Sequence, residues 1–270
     1  MKYCLINGIE QRFIDIESRG LAYGDGLFTT AKIVNGKVLY LSAHVHRLLS
    51  GCKQLALFAP NQDELTKQLN QIAIKYKLAV LKVIITACSG GRGYARANTL
   101  KSDVIIMVHD YPVHYDELAV KGVKVGKSNQ KIGINPMLKG LKHLNRLEQV
   151  LLRQELVNSK EDDLIVSNVH DEVIEATSAN LFFWLNGNLC TPDVTNSGVN
   201  GIMRQTILQA YPETIIKTVT FEELASAEAM FICNCVMGIM PVNHYNGVNL
   251  PITLPQRARY ENLLKETTEL

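Results

Sequence analysis

The sequence predicts an α+β protein built as two domains. Three observations carry that reading. Asn7-Gly8 and Asn35-Gly36 each lie between β-rich runs, which is a strong short hairpin signal. Apolar residues recur at helical spacing in several separate windows. A polar stretch containing a proline, Asp110 to Asp116, divides two halves that each hold strands and helices. The expected division is an N-terminal domain over 1–110, a linker over 111–120 and a C-terminal domain over 121–270.

Each element has a local reason. Tyr3 to Ile6 forms a strand that turns at Asn7-Gly8, and Leu27 to Val34 forms one that turns at Asn35-Gly36 and returns through Leu41. Ser42 is placed to cap a helix reaching Leu55, and Asn61 or Asp63 to cap one reaching Tyr76. The short apolar runs Val80 to Cys88 and Val104 to His109 suit buried strands, with the loop Ser89-Gly-Gly-Arg-Gly93 between them. In the second half, a strand at Val123 precedes a long loop through Asn135-Pro136 and a helix from about His143 to Val157. Leu144, Leu147, Val150, Leu151 and Leu156 are assigned to its apolar side. A strand meander spans Leu164 to Thr191. Helices follow at Ile202 to Tyr211 and Phe221 to Ala227, then a strand at Ala229 to Val236 and a closing helix from Pro255 to Thr267.

Composition narrows the function. The 270 residues carry 28 Lys and Arg against 26 Asp and Glu, a net charge of +2, with 47% hydrophobic residues. That excludes a disordered tail and lacks the basic excess of a nucleic-acid binder. Cys4, Cys52, Cys88, Cys190, Cys233 and Cys235 lack zinc-ribbon spacing and read as free thiols of a reducing compartment. The N-terminus has no signal-peptide pattern, and the apolar runs are shorter than the ~20 residues of a spanning helix, so a cytoplasmic protein is expected.

The phosphate loop, the dinucleotide glycine pattern and the serine-hydrolase elbow are absent. His44 and His46 point to different faces of a helix, so no metal site is expected. Four other features suggest chemistry. Lys142 stands at the expected mouth of the helix, where the positive helix end would lower its pKa. Glu175 precedes small polar residues between two strands. The loop Gly198-Val-Asn-Gly-Ile-Met203 runs into a helix, an arrangement suited to an anion. Arg47, Arg92 and Arg96 lie beside a hairpin or a Gly-rich loop.

Taken in order, Tyr23-Gly-Asp-Gly26, His44-Val-His-Arg-Leu48, Lys142 with Asn145, Glu175-Ala-Thr-Ser-Ala-Asn-Leu-Phe182 and Gly201-Ile-Met-Arg204 resemble the fold-type IV pyridoxal-phosphate enzymes. That family includes branched-chain and D-amino-acid aminotransferases and 4-amino-4-deoxychorismate lyase. Ser89-Gly-Gly-Arg-Gly-Tyr94, Gly198-Val-Asn-Gly-Ile-Met-Arg-Gln205 and above all Lys142-His-Leu-Asn-Arg-Leu-Glu-Gln149 look like the lyase subgroup.

The resemblance implies a smaller N-terminal α/β domain, a larger C-terminal α/β pseudo-barrel domain, pyridoxal 5'-phosphate as cofactor and a homodimer. It makes Lys142 the lysine that links to the cofactor and moves protons, with Thr30 assisting. Arg47 and the N–H groups of Ile202 and Met203 would hold the phosphate, Glu175 would pair with the ring nitrogen, and Asn234 would lie near the phosphate. Phe28, Thr30 and Lys32 share a strand face turned toward the cofactor. Arg92, Tyr94, Phe28, Lys32 and Cys235 are the substrate-binding candidates. The expected activity is conversion of 4-amino-4-deoxychorismate to 4-aminobenzoate and pyruvate. The alternatives are an aminotransferase on the same cofactor and a catalytically silent cofactor-binding relative.

Overall fold

The computed structural model describes residues 1–98 and 101–269. The chain forms two compact units. One comprises Met1–Pro112 with Leu141–Asn145, the other Val113–Gly140 with Arg146–Leu270.

The first unit contains β1 (Tyr3–Ile6), β2 (Ile9–Glu10), α1 (Arg19–Tyr23), β3 (Gly26–Val34), β4 (Lys37–Val38), α2 (Leu41–Gln54), α3 (Gln62–Ala73), β5 (Leu78–Ala87) and β6 (Ser102–His109). Its sheet is antiparallel in the order β2-β1-β6-β5-β3-β4. Both expected hairpins form. Asn7 and Gly8 have φ of 52° and 81°, and Asn35 and Gly36 have 48° and 78°, the positive pairs that a type I′ turn requires. Asn61 caps α3, accepting from the N–H groups of Asp63 and Glu64. Ser42 is not a cap, because α2 already starts at Leu41 behind Tyr40, which takes a left-handed φ of 55°. Leu27, Ala31 and Ile33 of β3 are buried together with Leu48 and Cys52 of α2. Gly51 permits that packing, since a Cβ there would fall 2.3 Å from Leu27 Cδ1.

The second unit contains α4 (His114–Lys121), β7 (Val123–Ile132), α5 (Leu147–Val157), β8 (Asp163–Asn168), β9 (Val173–Ala176), β10 (Asn180–Leu185), β11 (Asn188–Pro192), α6 (Ile202–Ala210), β12 (Ile215–Lys217), α7 (Phe221–Leu224), β13 (Ala229–Asn234), β14 (Gly238–Tyr245), β15 (Val248–Asn249) and α8 (Leu254–Glu269). Its mixed sheet runs β12-β11-β10-β13-β14-β7-β8-β9, with β15 on β14. Residues 111–120, expected as a linker, contain most of α4.

The helix expected from His143 begins only at Leu147. It buries Leu152 and Leu156, while Leu147, Val150 and Leu151 are 70%, 52% and 48% exposed. The apolar side assigned from sequence was therefore misplaced for those three. The strand β14 was not among the expected elements, and it contains Pro241, a residue that disfavours a strand interior. It is tolerated because the β7 ladder joins β14 only from Val242 onward, so Pro241 has a ladder partner, Phe231, on one side.

One face of this sheet carries the main core, with Leu181, Phe183, Met230 and Ile232, and aromatic packing covers the other. The rings of Phe182 and Phe231 stack 5.0 Å apart, and Trp184 and Tyr260 pack on Phe231 at 5.6 and 5.9 Å. Tyr260 brings α8 onto the sheet and donates its hydroxyl to the Met230 carbonyl at 3.2 Å. Phe231 is fully buried. Phe231→Ala is expected to lower unfolding stability by about 3–5 kcal/mol, read from denaturant midpoints. A loss under about 1 kcal/mol would show that the cluster collapses to fill the gap.

Candidate active site

In the first unit, the residues around Lys142 are fixed by β3. The Phe28 N–H donates to the Lys142 carbonyl at 2.9 Å, and the Leu144 N–H donates to the Gly26 carbonyl at 3.0 Å. These bonds pair Leu27 with His143 as an antiparallel bridge. The stub uses the free edge of β3 at its start, since β4 pairs only with Ile33 and Val34 at its end. Two glycines make room. A Cβ on Gly24 would meet Asn145 Oδ1 at 2.5 Å, and one on Gly26 would meet Leu144 Cδ1 at 2.9 Å and the Ile85 carbonyl at 2.3 Å. Asn145 in turn donates to the Gly24 carbonyl.

Lys142 therefore lies five residues ahead of α5, next to a β-bridge residue, and not at a helix mouth. The helix-dipole argument for a lowered pKa does not apply to it. Its ammonium lies 4.7 Å over the Phe28 ring.

Phe28, Thr30 and Lys32 alternate with buried Leu27, Thr29 and Ala31, so the shared face expected from sequence is present. Lys32 donates to the Tyr111 hydroxyl at 3.1 Å and lies over that ring. Lys82 belongs to the same face, because it pairs directly with Thr30, and its ammonium lies 5.0 Å over Phe28. Burial lowers its pKa. Sequence reasoning missed Lys82 and Tyr111. Period-two alternation in Val80 to Cys88 would have marked Lys82 once its pairing with Thr30 was known.

Arg47 is half-buried on α2. One turn earlier, His44 is 1% exposed, and its Nδ1 lies 2.6 Å from Thr29 Oγ1. Burial, reinforced by the charges of Arg47 and Lys142, pushes His44 down to about 3. His46 is exposed, so the two histidines do diverge.

The Gly-rich loop is held from beneath by an ionic hub. Arg19, 5% exposed, pairs with Asp25 and donates to the carbonyls of Gly93 and Tyr94 at 3.0 Å each. Arg96 pairs with the same Asp25 and reaches the carbonyls of Leu55 and Ala56. Burial alone would raise the Asp25 carboxyl, but hydrogen bonds from Arg96 and Arg19 outweigh it and hold it low. Arg92 and Tyr94 are exposed on this loop, with Tyr94 edge-on to Tyr23 at 5.6 Å. Arg96 is thus a bracing residue of the loop.

In the second unit, Glu175 is a buried carboxylate on β9. Its Oε2 accepts from the Val199 N–H at 3.1 Å and from Asn180 Nδ2 at 3.2 Å. Asn180 also donates to the Val199 carbonyl and accepts from the Gly201 N–H. Gly201 caps α6. The helical ladder starts with the Gln205 N–H donating to the Gly201 carbonyl, so Ile202 and Met203 occupy the first turn, ahead of that ladder. Arg146 lies within electrostatic reach of Glu175, and burial lowers its pKa against the opposing pull of Glu175 and Glu148.

Asn234 uses its amide on the β13–β14 turn. Its Oδ1 accepts from the Val236 and Met237 N–H groups at 2.9 Å each, and its Nδ2 donates to the Ser178 carbonyl. Cys235 is buried next to it. Among the described residues, no group of three His, Cys, Asp or Glu is placed to hold a metal ion.

His44 gives this region a pH signature. Its folded pKa is about 3 against an ordinary 6.5, so the unfolded chain binds the extra proton between those values. Its contribution to stability is full above about pH 6.5 and declines as pH falls toward 3. Between pH 7 and 5, His44→Gln should remove about 2 kcal/mol of the wild-type loss in unfolding free energy. Parallel pH curves for the two proteins would contradict a neutral buried His44.

Comparison with known proteins identifies the family. The amino-transferase class IV family model matches residues 26–245. The chain is 32% identical over 250 residues to an aminodeoxychorismate lyase of Vibrio harveyi, covering 91% of each chain. It superposes with a TM-score of 0.90 on the crystal structure of 4-amino-4-deoxychorismate lyase from Pseudomonas aeruginosa, at 32% identity and covering 96% and 97% of the two chains. The branched-chain aminotransferase of Escherichia coli shares the fold, with a TM-score of 0.86 at 22% identity, covering 96% of this chain and 92% of that one. The fold-type IV architecture expected from the sequence is thereby borne out. With most of its length matched by one family model and a third of its residues shared with a full-length relative, the chain belongs to the amino-transferase class IV family.

Proposed function

We propose that the chain is a pyridoxal-phosphate-dependent lyase that converts 4-amino-4-deoxychorismate to 4-aminobenzoate and pyruvate. The observation that carries this reading is the likeness to an aminodeoxychorismate lyase across 91% of both chains. It is joined to a chain that keeps an amine at Lys142 and a buried carboxylate at Glu175.

The donor set fits the cofactor. A Cβ on Gly201 would fall 2.0 Å from Asn180 Oδ1, and one on Gly198 3.1 Å from the Glu175 carboxyl carbon, so the backbone approaches the buried carboxylate closely. Pyridoxal phosphate supplies an electron-withdrawing ring that accepts charge from the substrate carbon. Glu175 keeps the ring nitrogen protonated. Arg47 and the N–H groups of Ile202 and Met203 hold the phosphate, a charge-assisted arrangement at a helix start. Asn234 contributes through the turn it orders.

Lys142 anchors the cofactor. The Lys142 amine would take the proton from the amine-bearing ring carbon of the substrate. The enolpyruvyl C–O bond then breaks, the ring becomes aromatic, and Lys142 returns a proton to the departing group as pyruvate forms. Thr30 assists that delivery from the same sheet face. Arg92, Tyr94 and Lys32 receive the substrate carboxylates, with Phe28 and Cys235 beside them.

The second reading, an aminotransferase, is favoured by the family model itself. Both reactions use the same cofactor contacts, so one assay separates them. The lyase forms 4-aminobenzoate with no keto acid present, and Lys142→Ala lowers turnover on the order of a thousandfold or more. Amino-group exchange that requires a keto acid, with no 4-aminobenzoate formed, would establish the aminotransferase.

The protein is further proposed to be a cytoplasmic homodimer. Phe13, Ile14 and Ile16 in the first unit, and Leu147, Val150 and Leu151 in the second, are large apolar side chains at least 48% exposed in the single chain. No described helix is long and apolar enough to cross a membrane. Light scattering is expected to give twice the chain mass, and a monomer at micromolar concentration would refute the dimer.

A further inference from the structure

Asn180 starts β10 and is 5% exposed. Its backbone is locked in register with Cys233 of β13. Its amide makes three hydrogen bonds in two directions. Nδ2 donates to Glu175 Oε2 at 3.2 Å and to the Val199 carbonyl at 2.8 Å, while Oδ1 accepts from the Gly201 N–H at 3.1 Å. The Val199 N–H donates to the same carboxylate oxygen at 3.1 Å. One side chain thus ties a buried carboxylate to the loop that opens α6. A buried amide with these bonds has few alternative orientations, because turning it would face donors with donors and acceptors with acceptors.

We propose that Asn180 is a positioning residue that holds the Glu175 carboxylate and the Val199–Gly201 entry to α6 in a single frame. Two donors on Oε2 set the carboxylate plane, and the acceptor on Gly201 sets where the first turn of α6 begins. The ring-nitrogen partner and the phosphate-holding N–H groups then cannot shift independently. This inference rests on the roles proposed above for Glu175 and the start of α6.

The test compares Asn180→Ala, Asn180→Asp, Glu175→Gln and the double variant Asn180→Ala with Glu175→Gln. Each full-length protein is stripped of cofactor and titrated with pyridoxal phosphate. The dissociation constant and the visible absorbance of the bound cofactor are recorded, then kcat and KM of the reloaded enzyme. Asn180→Ala is expected to weaken cofactor binding about tenfold or more, alter the absorbance band and lower kcat more than it raises KM. Its effect should shrink to within about twofold in the Glu175→Gln background, because the two act as one unit. Asn180→Asp keeps the acceptor for Gly201 and nearly the same shape, but replaces the donor to Glu175 with an acceptor. It is expected to bind cofactor no better than Asn180→Ala.

Full cofactor affinity and an unchanged band in Asn180→Asp would overturn the proposal, since shape alone would then suffice. So would a pure loss of thermal stability in Asn180→Ala with cofactor affinity unchanged. Effects of Asn180→Ala and Glu175→Gln that add fully would overturn it as well. Should Asn180→Ala fail to fold, Asn180→Asp decides alone. A Glu175→Gln protein indistinguishable from wild type would instead sink the reading of Glu175.

Discussion

The two backbone hydrogen bonds that clip Leu141–Asn145 onto the start of β3 are the constraint on which the first unit depends. An isolated lysine side chain has four rotatable bonds and about 2 kcal/mol of rotamer entropy to lose, so its amine is positioned only if its backbone is already fixed. The bridge at Leu27 and His143 supplies that fixity. It also explains two glycines at once. Gly24 and Gly26 lie where the stub passes, and any side chain there would collide with Asn145 or Leu144. The Tyr23-Gly-Asp-Gly26 turn is therefore a seat for the lysine segment. Asp25, between those glycines, uses its carboxylate to bind Arg19 and Arg96, and so ties the same turn to the Gly-rich loop.

The second unit solves a different problem. A buried carboxylate is costly unless its oxygens are hydrogen-bonded. Glu175 meets that demand with a backbone N–H and an amide, and both donors belong to groups that also shape the loop before α6. The carboxylate is an organising element as well as a chemical group. Gly198 and Gly201 follow from it, since each leaves no space for a Cβ beside Glu175 or Asn180.

Local chemistry was legible in the sequence wherever a few neighbouring residues decide the outcome. Asn7-Gly8 and Asn35-Gly36 became type I′ turns, Asn61 became the cap of α3, and period-two alternation put Phe28, Thr30 and Lys32 on one face. What escaped depends on partners far along the chain. The helix near Lys142 was drawn four residues too early because the run from His143 is locally helix-compatible. Asn145 instead binds the Gly24 carbonyl, 121 residues away. The apolar side of α5 was misjudged for a related reason. Several residues share helical spacing, and only the sheet beneath selects Leu152 and Leu156. β14 holds Pro241, which fits a central strand because the ladder to β7 begins one residue later, at Val242. Lys82 was invisible until β5 was paired with β3.

Of the site residues, Lys142 and Glu175 stand out by placement and take their roles from the resemblance, and the structure shows the surroundings that hold each. Those surroundings also locate where the choice of reaction must lie. In the proposed roles, the Glu175, Asn180 and α6 arrangement would serve any reaction in which a protonated ring withdraws electrons, so it would not distinguish a lyase from an aminotransferase. The half-buried face of the first sheet differs, because it bears Lys32 against Tyr111 and Lys82 over Phe28. Burial disfavours the charge of Lys82, and a carboxylate brought to that face would favour it again. A net charge of +2 over 270 residues conceals this concentration of cations, which suits a small polyanion far better than a neutral amino-acid side chain. On the proposed reading, selectivity for a doubly carboxylated substrate would fall to this sheet face and to the braced loop of the same unit, whereas the proposed cofactor contacts would leave the reaction open.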